Sequence, residues 1–224
     1  MVKNFPLVHN FPVKRAIIFD LDNCLSAANE VGTHLFEPVF DAIRRANRNC
    51  DTLSDAAIER AFSDCWRHPL DWVAKTHGFT DEMLAAGWNE SVGLQVETAM
   101  RGYSDLYILK ELSGLLFLVT SGFRRLQESK IRALGLERFF AKVYVDAIDE
   151  PDRKGKQKIF ERILETYQLK PEDALVVGDN PDSEIEAGNR LGIRTVQILR
   201  PGVPRGNNAL HYIQGLSELK DLVG

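Results

Sequence analysis

Three short runs of uninterrupted apolar residues stand out along the chain: AIIF (16–19), LLFLV (115–119) and ALVV (174–177). None alternates with polar residues, as a strand with one wet face would. Each therefore predicts a strand buried on both faces. KVYVDA (142–147) and TVQIL (195–199) predict two more strands. Helical patterns lie between them, and strands alternating with helices predict an α/β fold around a parallel sheet. Each of the three apolar runs stops abruptly in small or polar residues: DLDN, TSGF and GDNPDSE. Ligands of such sheets bind beyond the carboxyl ends of the strands, so the three polar clusters are predicted to converge on one edge.

Residues 27–100 break the alternation. They carry no convincing strand and several helical signals. Pro38 suits the first position of a helix whose apolar face includes Val39, Phe40 and Ile43. Ser54 can cap a helix with Ile58, Ala61, Phe62 and Cys65 on one face. Asp71 can cap WVAKTH, which Gly78 ends, and Thr80 can open a fourth helix. The segment reads as a helical subdomain (27–100) inserted in a sheet domain made of 13–26 and 101–224. PGVPRGNN (201–208) predicts a surface loop.

Composition narrows the class. The chain has 224 residues, enough for one or two domains with a real core, and is 44% hydrophobic and 27% charged. A net charge of -4 gives no reason to expect broad binding to nucleic acid. The longest apolar runs are far too short to span a bilayer, so no membrane role is expected. The N-terminal MVKNFPLVHNFPVK has no apolar core of a leader, so no signal peptide is expected. Cys24, Cys50 and Cys65 form no CxxC, which fits a reduced cytoplasmic protein better than a disulfide framework. Oligomeric state is not legible.

The convergent edge would hold Asp20 and Asp22 from the first strand, Thr120 and Ser121 from the second, and Asp179, Asp182 and Glu184 after ALVV. Like charges this close disfavour one another. They call for a cation, and oxygen donors without His or Cys favour Mg²⁺. The hydroxyls and free backbone N–H groups suit an anion. The loop DRKGKQK (152–158) offers Lys154, Lys156 and Lys158 as counter-charge.

The order DLDNCL, VTSG, a lysine ahead of an IF helix, then VVGDNPDSEIEAG resembles the haloacid dehalogenase-like (HAD) hydrolase superfamily. The resemblance covers nearly the whole chain after its first dozen residues. It implies a Rossmann-like core with a mobile helical cap of the C1 type, and a phosphatase acting on a small phosphorylated metabolite. Asp20 matches the nucleophile that forms an aspartyl phosphate. Asp22 matches the general acid and base. Thr120 matches the phosphoryl-binding hydroxyl, with Ser121 and Gly122 as backbone donors. Lys154 is the choice for the phosphate-binding lysine, from its place six residues before Phe160, with Lys156 as the alternative. Asp179 matches a direct Mg²⁺ ligand, alongside Asp20 and the backbone carbonyl of Asp22. Glu184 stands in a supporting position, and Asp182 either approaches the metal or caps a helix.

Cys24 departs from the usual Thr or Val of the family, and its side chain is expected to support the loop. Trp66, His68, Trp72, Lys75 and His77 are expected to pack the inserted helices rather than line a site. Two other readings are a 2-haloacid dehalogenase and a non-catalytic phospho-acceptor of the same fold. Asp22 argues against the first, because members of that kind usually lack the second Asp: halide departs without a proton.

Overall fold

A computed structural model describes residues 15–223 of the chain. The expectation about the N-terminal leader concerns residues outside this range. The three apolar runs form β1 (Ala16–Phe19), β2 (Leu115–Gly122) and β4 (Ala174–Gly178). The two further candidates form β3 (Lys142–Ala147) and β5 (Arg194–Ile198). A short β6 (His211–Ile213) was not evident in the sequence. The six strands make one parallel sheet in the order β3-β2-β1-β4-β5-β6.

The lack of alternation in β1 has a direct cause. Ile17 and Phe19 turn to one face of the sheet, where they join Leu118, Val177 and Val196. Ala16 and Ile18 turn to the other, against Phe117, Phe160 and Ile163. Helices cover both faces. α5 (Arg124–Ala133) contributes Ile131 to the first cluster, as α8 (Leu219–Val223) contributes Leu219. α6 (Lys156–Tyr167) and α7 (Glu186–Arg190) close the second through Phe160, Ile163 and Ala187. Each of the larger side chains among these (Val, Leu, Ile, Phe), fully buried, stabilises the fold by roughly 1.5–3 kcal/mol.

Between β1 and β2 lie α1 (Thr33–Cys50), α2 (Asp55–Asp64), α3 (Leu70–His77) and α4 (Asp81–Ser91). The local signals mostly hold. Ser54 accepts from the Ala57 N–H and Thr80 from the Met83 N–H, each capping its helix. Gly78 ends α3 in the left-handed region, with φ of 72°. Two signals do not hold. α1 begins at Thr33, so Pro38 lies inside it and not at its first position. Leu35 and Phe36 pack against the insert's apolar cluster, which draws an extra turn ahead of the proline. Asp71 is not the cap of α3, because Pro69 occupies that position and Leu70 already packs inward.

The four helices bury Val39, Phe40, Ile43, Ile58, Phe62 and Met83 against one another. Phe123, Leu126 and Ile148 belong to the same cluster. These three come from beyond the carboxyl ends of β2 and β3, so the helices sit over that edge of the sheet. α1 and α4 approach closely because position 87 is glycine: a Cβ there would meet Ile43 Cδ1 at 2.7 Å. Among the described residues, no helix is long and apolar enough to cross a membrane.

Candidate active site

β1 lies between β2 and β4, so the polar clusters that follow these strands come side by side. Asp20 directly follows β1, and its N–H donates to the Val177 carbonyl at 2.9 Å, continuing the sheet. The chain then turns. Leu21 is fully buried, and its carbonyl accepts the N–H groups of Leu25 and Ser26 at 2.9 and 3.2 Å. Asn23 adopts a left-handed conformation with φ of 55°. The buried Arg200 guanidinium holds the Cys24 carbonyl through Nε and Nη2, at 3.1 and 3.0 Å. Because the strand ends at Phe19, Asp20 and Asp22 are not paired by simple strand alternation. Both nevertheless line one cavity of about 450 Å³ beneath the inserted helices.

Asp20, Asp179 and Glu184 are all buried, and one ligand oxygen from each lies within 4.8 Å of the others. Lys156 Nζ donates to Asp20 Oδ1 at 2.6 Å and to Glu184 Oε2 at 2.7 Å. Glu184 Oε1 accepts from the Asn180 N–H at 2.7 Å. A π-helical turn, Pro181–Ile185, brings Glu184 back over the end of β4. Gly178 makes that possible, since a Cβ there would lie 2.3 Å from Glu184 Oε1.

Three carboxylates thus face one ammonium. Burial raises the Asp20 carboxyl to about 7; Lys156 opposes this shift and Glu184 adds to it. Burial, then the charges of Glu184 and Asp20, lift Asp179 well above the usual carboxylate range. Burial alone would lower the Lys156 ammonium, but Asp20 and Glu184 overcome it and raise it. Asp179 Oδ2 is buried without a hydrogen-bond partner among the described residues, and Arg67 Nη2 approaches it only to 3.8 Å. Surplus buried negative charge, an orphaned oxygen and an all-oxygen donor set fit a hard divalent cation.

Lys154 is not part of this cluster. It is exposed, and Lys156, the expected alternative, occupies the position beside Asp20. The reason is local. Gly155 has φ of 81° and donates its N–H to Asp146 Oδ1 at 2.9 Å, so the chain turns between the two lysines and Lys156 opens α6. Asp182 is also exposed, and its N–H donates to Asn180 Oδ1 at 3.0 Å within the turn.

Asp22 faces α5. Lys130 Nζ donates to its Oδ1 at 2.5 Å and Gln127 Nε2 to its Oδ2 at 2.9 Å. Gln127 Nε2 also donates to Thr120 Oγ1 at 2.5 Å. The Ser121 hydroxyl donates to Asp146 Oδ2 at 3.0 Å, and its carbonyl accepts from Gln127 Nε2 at 3.2 Å. Asp146 is itself buried and also accepts from Arg153 Nε at 3.0 Å. Arg153 reaches across to Asp71 on α3 at 2.5 Å, tying the inserted helices to the loop that leads into Lys156. Gln127, Lys130, Asp146 and Arg67 are not among the site residues that the sequence predicts.

Cys24 supports its loop as expected. Its thiol is buried, donates to the Val177 carbonyl at 3.6 Å, and is pushed well above its usual pKa by burial and by Asp20. The aromatic residues of the insert do more than pack. Trp66 contacts Phe36 edge-on with centroids 5.0 Å apart, and Trp72 stacks on His68 at 3.7 Å. Both tryptophans also line the cavity.

A family model described as haloacid dehalogenase-like hydrolase matches residues 14–192. The chain belongs to this family. It is an enzyme of the hydrolase class. The glyceraldehyde 3-phosphate phosphatase of Methanopyrus kandleri is 27% identical over 201 residues, covering 83% of this chain and 84% of the relative. Human N-acylneuraminate-9-phosphatase is 30% identical over 211 residues, covering 84% of each. The crystal structure of a HAD phosphatase from Thermococcus onnurineus matches with a TM-score of 0.61 at 25% identity, over 94% of this chain and 98% of that one. The HAD fold accounts for the parallel sheet and for the polar clusters gathered at its edge.

Proposed function

We propose that this HAD hydrolase is a Mg²⁺-dependent phosphomonoesterase acting on a small phosphorylated metabolite. In this reading residues 13–26 and 101–224 are the catalytic core, and 27–100 is a cap that closes over the substrate. The observation that carries it is the setting of Asp20: a buried carboxylate at the end of the central strand, bonded to Lys156 and clustered with Asp179 and Glu184.

Asp20 attacks phosphorus and the ester oxygen leaves, forming an aspartyl phosphate and splitting hydrolysis into two steps. Asp22 delivers a proton to the departing alkoxide, then takes one from the water that attacks the intermediate. The Thr120 hydroxyl and the backbone N–H groups of Ser121 and Gly122 bind the phosphoryl oxygens. Lys156 balances the charge that Asp20 and the phosphoryl group bring together. Asp20, Asp179, Glu184 and the Asp22 carbonyl would hold Mg²⁺, which neutralises charge on the phosphoryl group and orients it. The aromatic roof excludes water and bulky polymers once the cap is shut.

Proton delivery by Asp22 also supports phosphate esters over haloacids, since a departing halide needs no proton. The phosphatase names of the relatives point the same way. The test is phosphate release from an aryl phosphate and a panel of phosphometabolites, with Mg²⁺ or with EDTA. The reading predicts metal-dependent release that Asp20→Asn abolishes. Halide release from a 2-haloacid without phosphate release would overturn it.

A further inference from the structure

Gln127 and Lys130 are buried, 2% and 4% exposed, on the face of α5 that looks toward β1. Burying an amide and an ammonium there gains no stability that apolar side chains could not match. Their contacts are specific. Gln127 Nε2 lies 2.9 Å from Asp22 Oδ2, 2.5 Å from Thr120 Oγ1 and 3.2 Å from the Ser121 carbonyl. A carboxylate and a carbonyl only accept, so the nitrogen end of the carboxamide must face them. Its oxygen end then accepts from Lys130 Nζ at 3.3 Å. The same ammonium bonds Asp22 Oδ1 at 2.5 Å. Both oxygens of Asp22 are therefore gripped from one helix, by residues three positions apart.

The consequence for Thr120 is sharper. An amide nitrogen cannot accept, so Gln127 is the donor in this pair; its two hydrogens serve the two shorter contacts, Thr120 and Asp22, and the Ser121 carbonyl at 3.2 Å only shares one of them. The Thr120 oxygen is occupied as an acceptor, and its own hydrogen has no acceptor among the described residues. Thr120 is 1% exposed and lines the cavity, so that hydrogen is left for a group held there. We infer that Gln127, braced by Lys130, is a positioning residue that fixes Asp22 and turns the Thr120 hydroxyl into an obligate donor toward a bound phosphoryl group. The inference rests on the proposed phosphatase reading, which assigns that group to the cavity, and it names residues the reading does not use.

The experiment is a double-mutant cycle read by binding of inorganic phosphate with Mg²⁺ present, with turnover of the best substrate as a second readout. Gln127→Met keeps the shape of the side chain and removes both donors. Thr120→Val removes the hydroxyl. Each alone is expected to weaken phosphate binding about tenfold. The double variant is expected to be no weaker than Thr120→Val, because Gln127 acts on phosphate through that hydroxyl. In turnover, Gln127→Met is expected to lower kcat beyond its effect on KM, since Asp22 is also released; a merely structural role would lower the folded fraction and leave both constants per folded molecule. Gln127→Leu, which also removes both donors and adds no charge, serves if the Met variant does not fold.

Additive losses in the cycle, or wild-type phosphate affinity in Gln127→Met, would overturn the inference. So would a wild-type protein that binds no phosphate. Phosphate binding with the expected coupling but no turnover of any ester would leave the inference standing and overturn the phosphatase reading instead.

Discussion

Two aspartates separated by a single leucine each meet a buried lysine, yet the two pairs are built for different work. Asp20 and Lys156 sit on the β4 side, and their surroundings are overloaded with carboxylates. Asp22 and Lys130 sit on the β2 side, where the other hydrogen bond to Asp22 comes from a neutral glutamine that also bonds Thr120. The Asp22 side chain is 25% exposed and the Asp20 side chain 8%. The first pair leaves negative charge uncompensated, which a divalent cation and an electrophile can use. The second balances charge one to one and spends its remaining hydrogen bonds on orientation. In the proposed mechanism this difference would separate an attacking carboxylate from a proton carrier within three residues of chain.

Breaking the first pair should have the largest effect. Asp20→Asn is expected to reduce phosphate release to the uncatalysed background. Lys156→Met strands a buried carboxylate, so a loss of about 3–5 kcal/mol of stability is expected in urea denaturation, together with activity. Lys154→Met, at the exposed position, is expected to change stability by no more than about 0.5 kcal/mol. Equal effects at the two lysines would contradict the placement of Lys156.

Next comes the second pair. Asp22→Asn is expected to slow hydrolysis of alkyl phosphates on the order of 100- to 10,000-fold. With an aryl phosphate bearing a good leaving group, departure needs little protonation. A rapid burst of phenolate equal to the enzyme present, followed by slow turnover, is then expected in stopped-flow absorbance. Loss of the burst as well would mean that Asp22 does not divide its role between the two steps.

The electrostatic contrast has its own signature in metal-free protein. An unfolded Asp titrates near 3.8, whereas burial lifts Asp20 to about 7 in the fold. The native state therefore holds a proton that the unfolded state releases. Its contribution to stability is complete below the lower value and is lost as pH rises through the upper. Thermal melts with EDTA should show stability falling across that window, and Mg²⁺ should recover it at the alkaline end. Asp179→Asn should blunt both effects. The smallest effect concerns the thiols: a maleimide is expected to label the exposed Cys50 and leave the buried Cys24 untouched in native protein, as peptide mass mapping would show.

Much of the fold was legible because it is written in local patterns. Both-face burial announced β1, β2 and β4, and single residues such as Ser54, Gly78 and Thr80 announced helix ends. β6 was missed because three residues, two of them only half-buried, leave no run to recognise. Pro38 misled because packing of Leu35 and Phe36 outweighed a positional preference. Motif order brought Asp20, Asp22, Thr120, Asp179 and Glu184 to one edge, and the structure does gather them around one cavity. Motif spacing failed at the lysine, where the turn at Gly155 decides which side chain faces in. Gln127 and Lys130 carried one unused signal: they are polar residues set between the apolar Leu126 and Ile131. Asp146 carried none, because its role comes from the pairing of β3 with β2.

The central claim is that Asp20 becomes phosphorylated in turnover. Borohydride reduces an acyl phosphate and leaves homoserine in place of the aspartate. Asp22→Asn protein should therefore be mixed with an aryl phosphate and Mg²⁺, quenched with borohydride and mapped by peptide mass spectrometry. The account predicts the reduced residue at position 20 and nowhere else. Reduction at another carboxylate, or none while phosphate is still released, would contradict it.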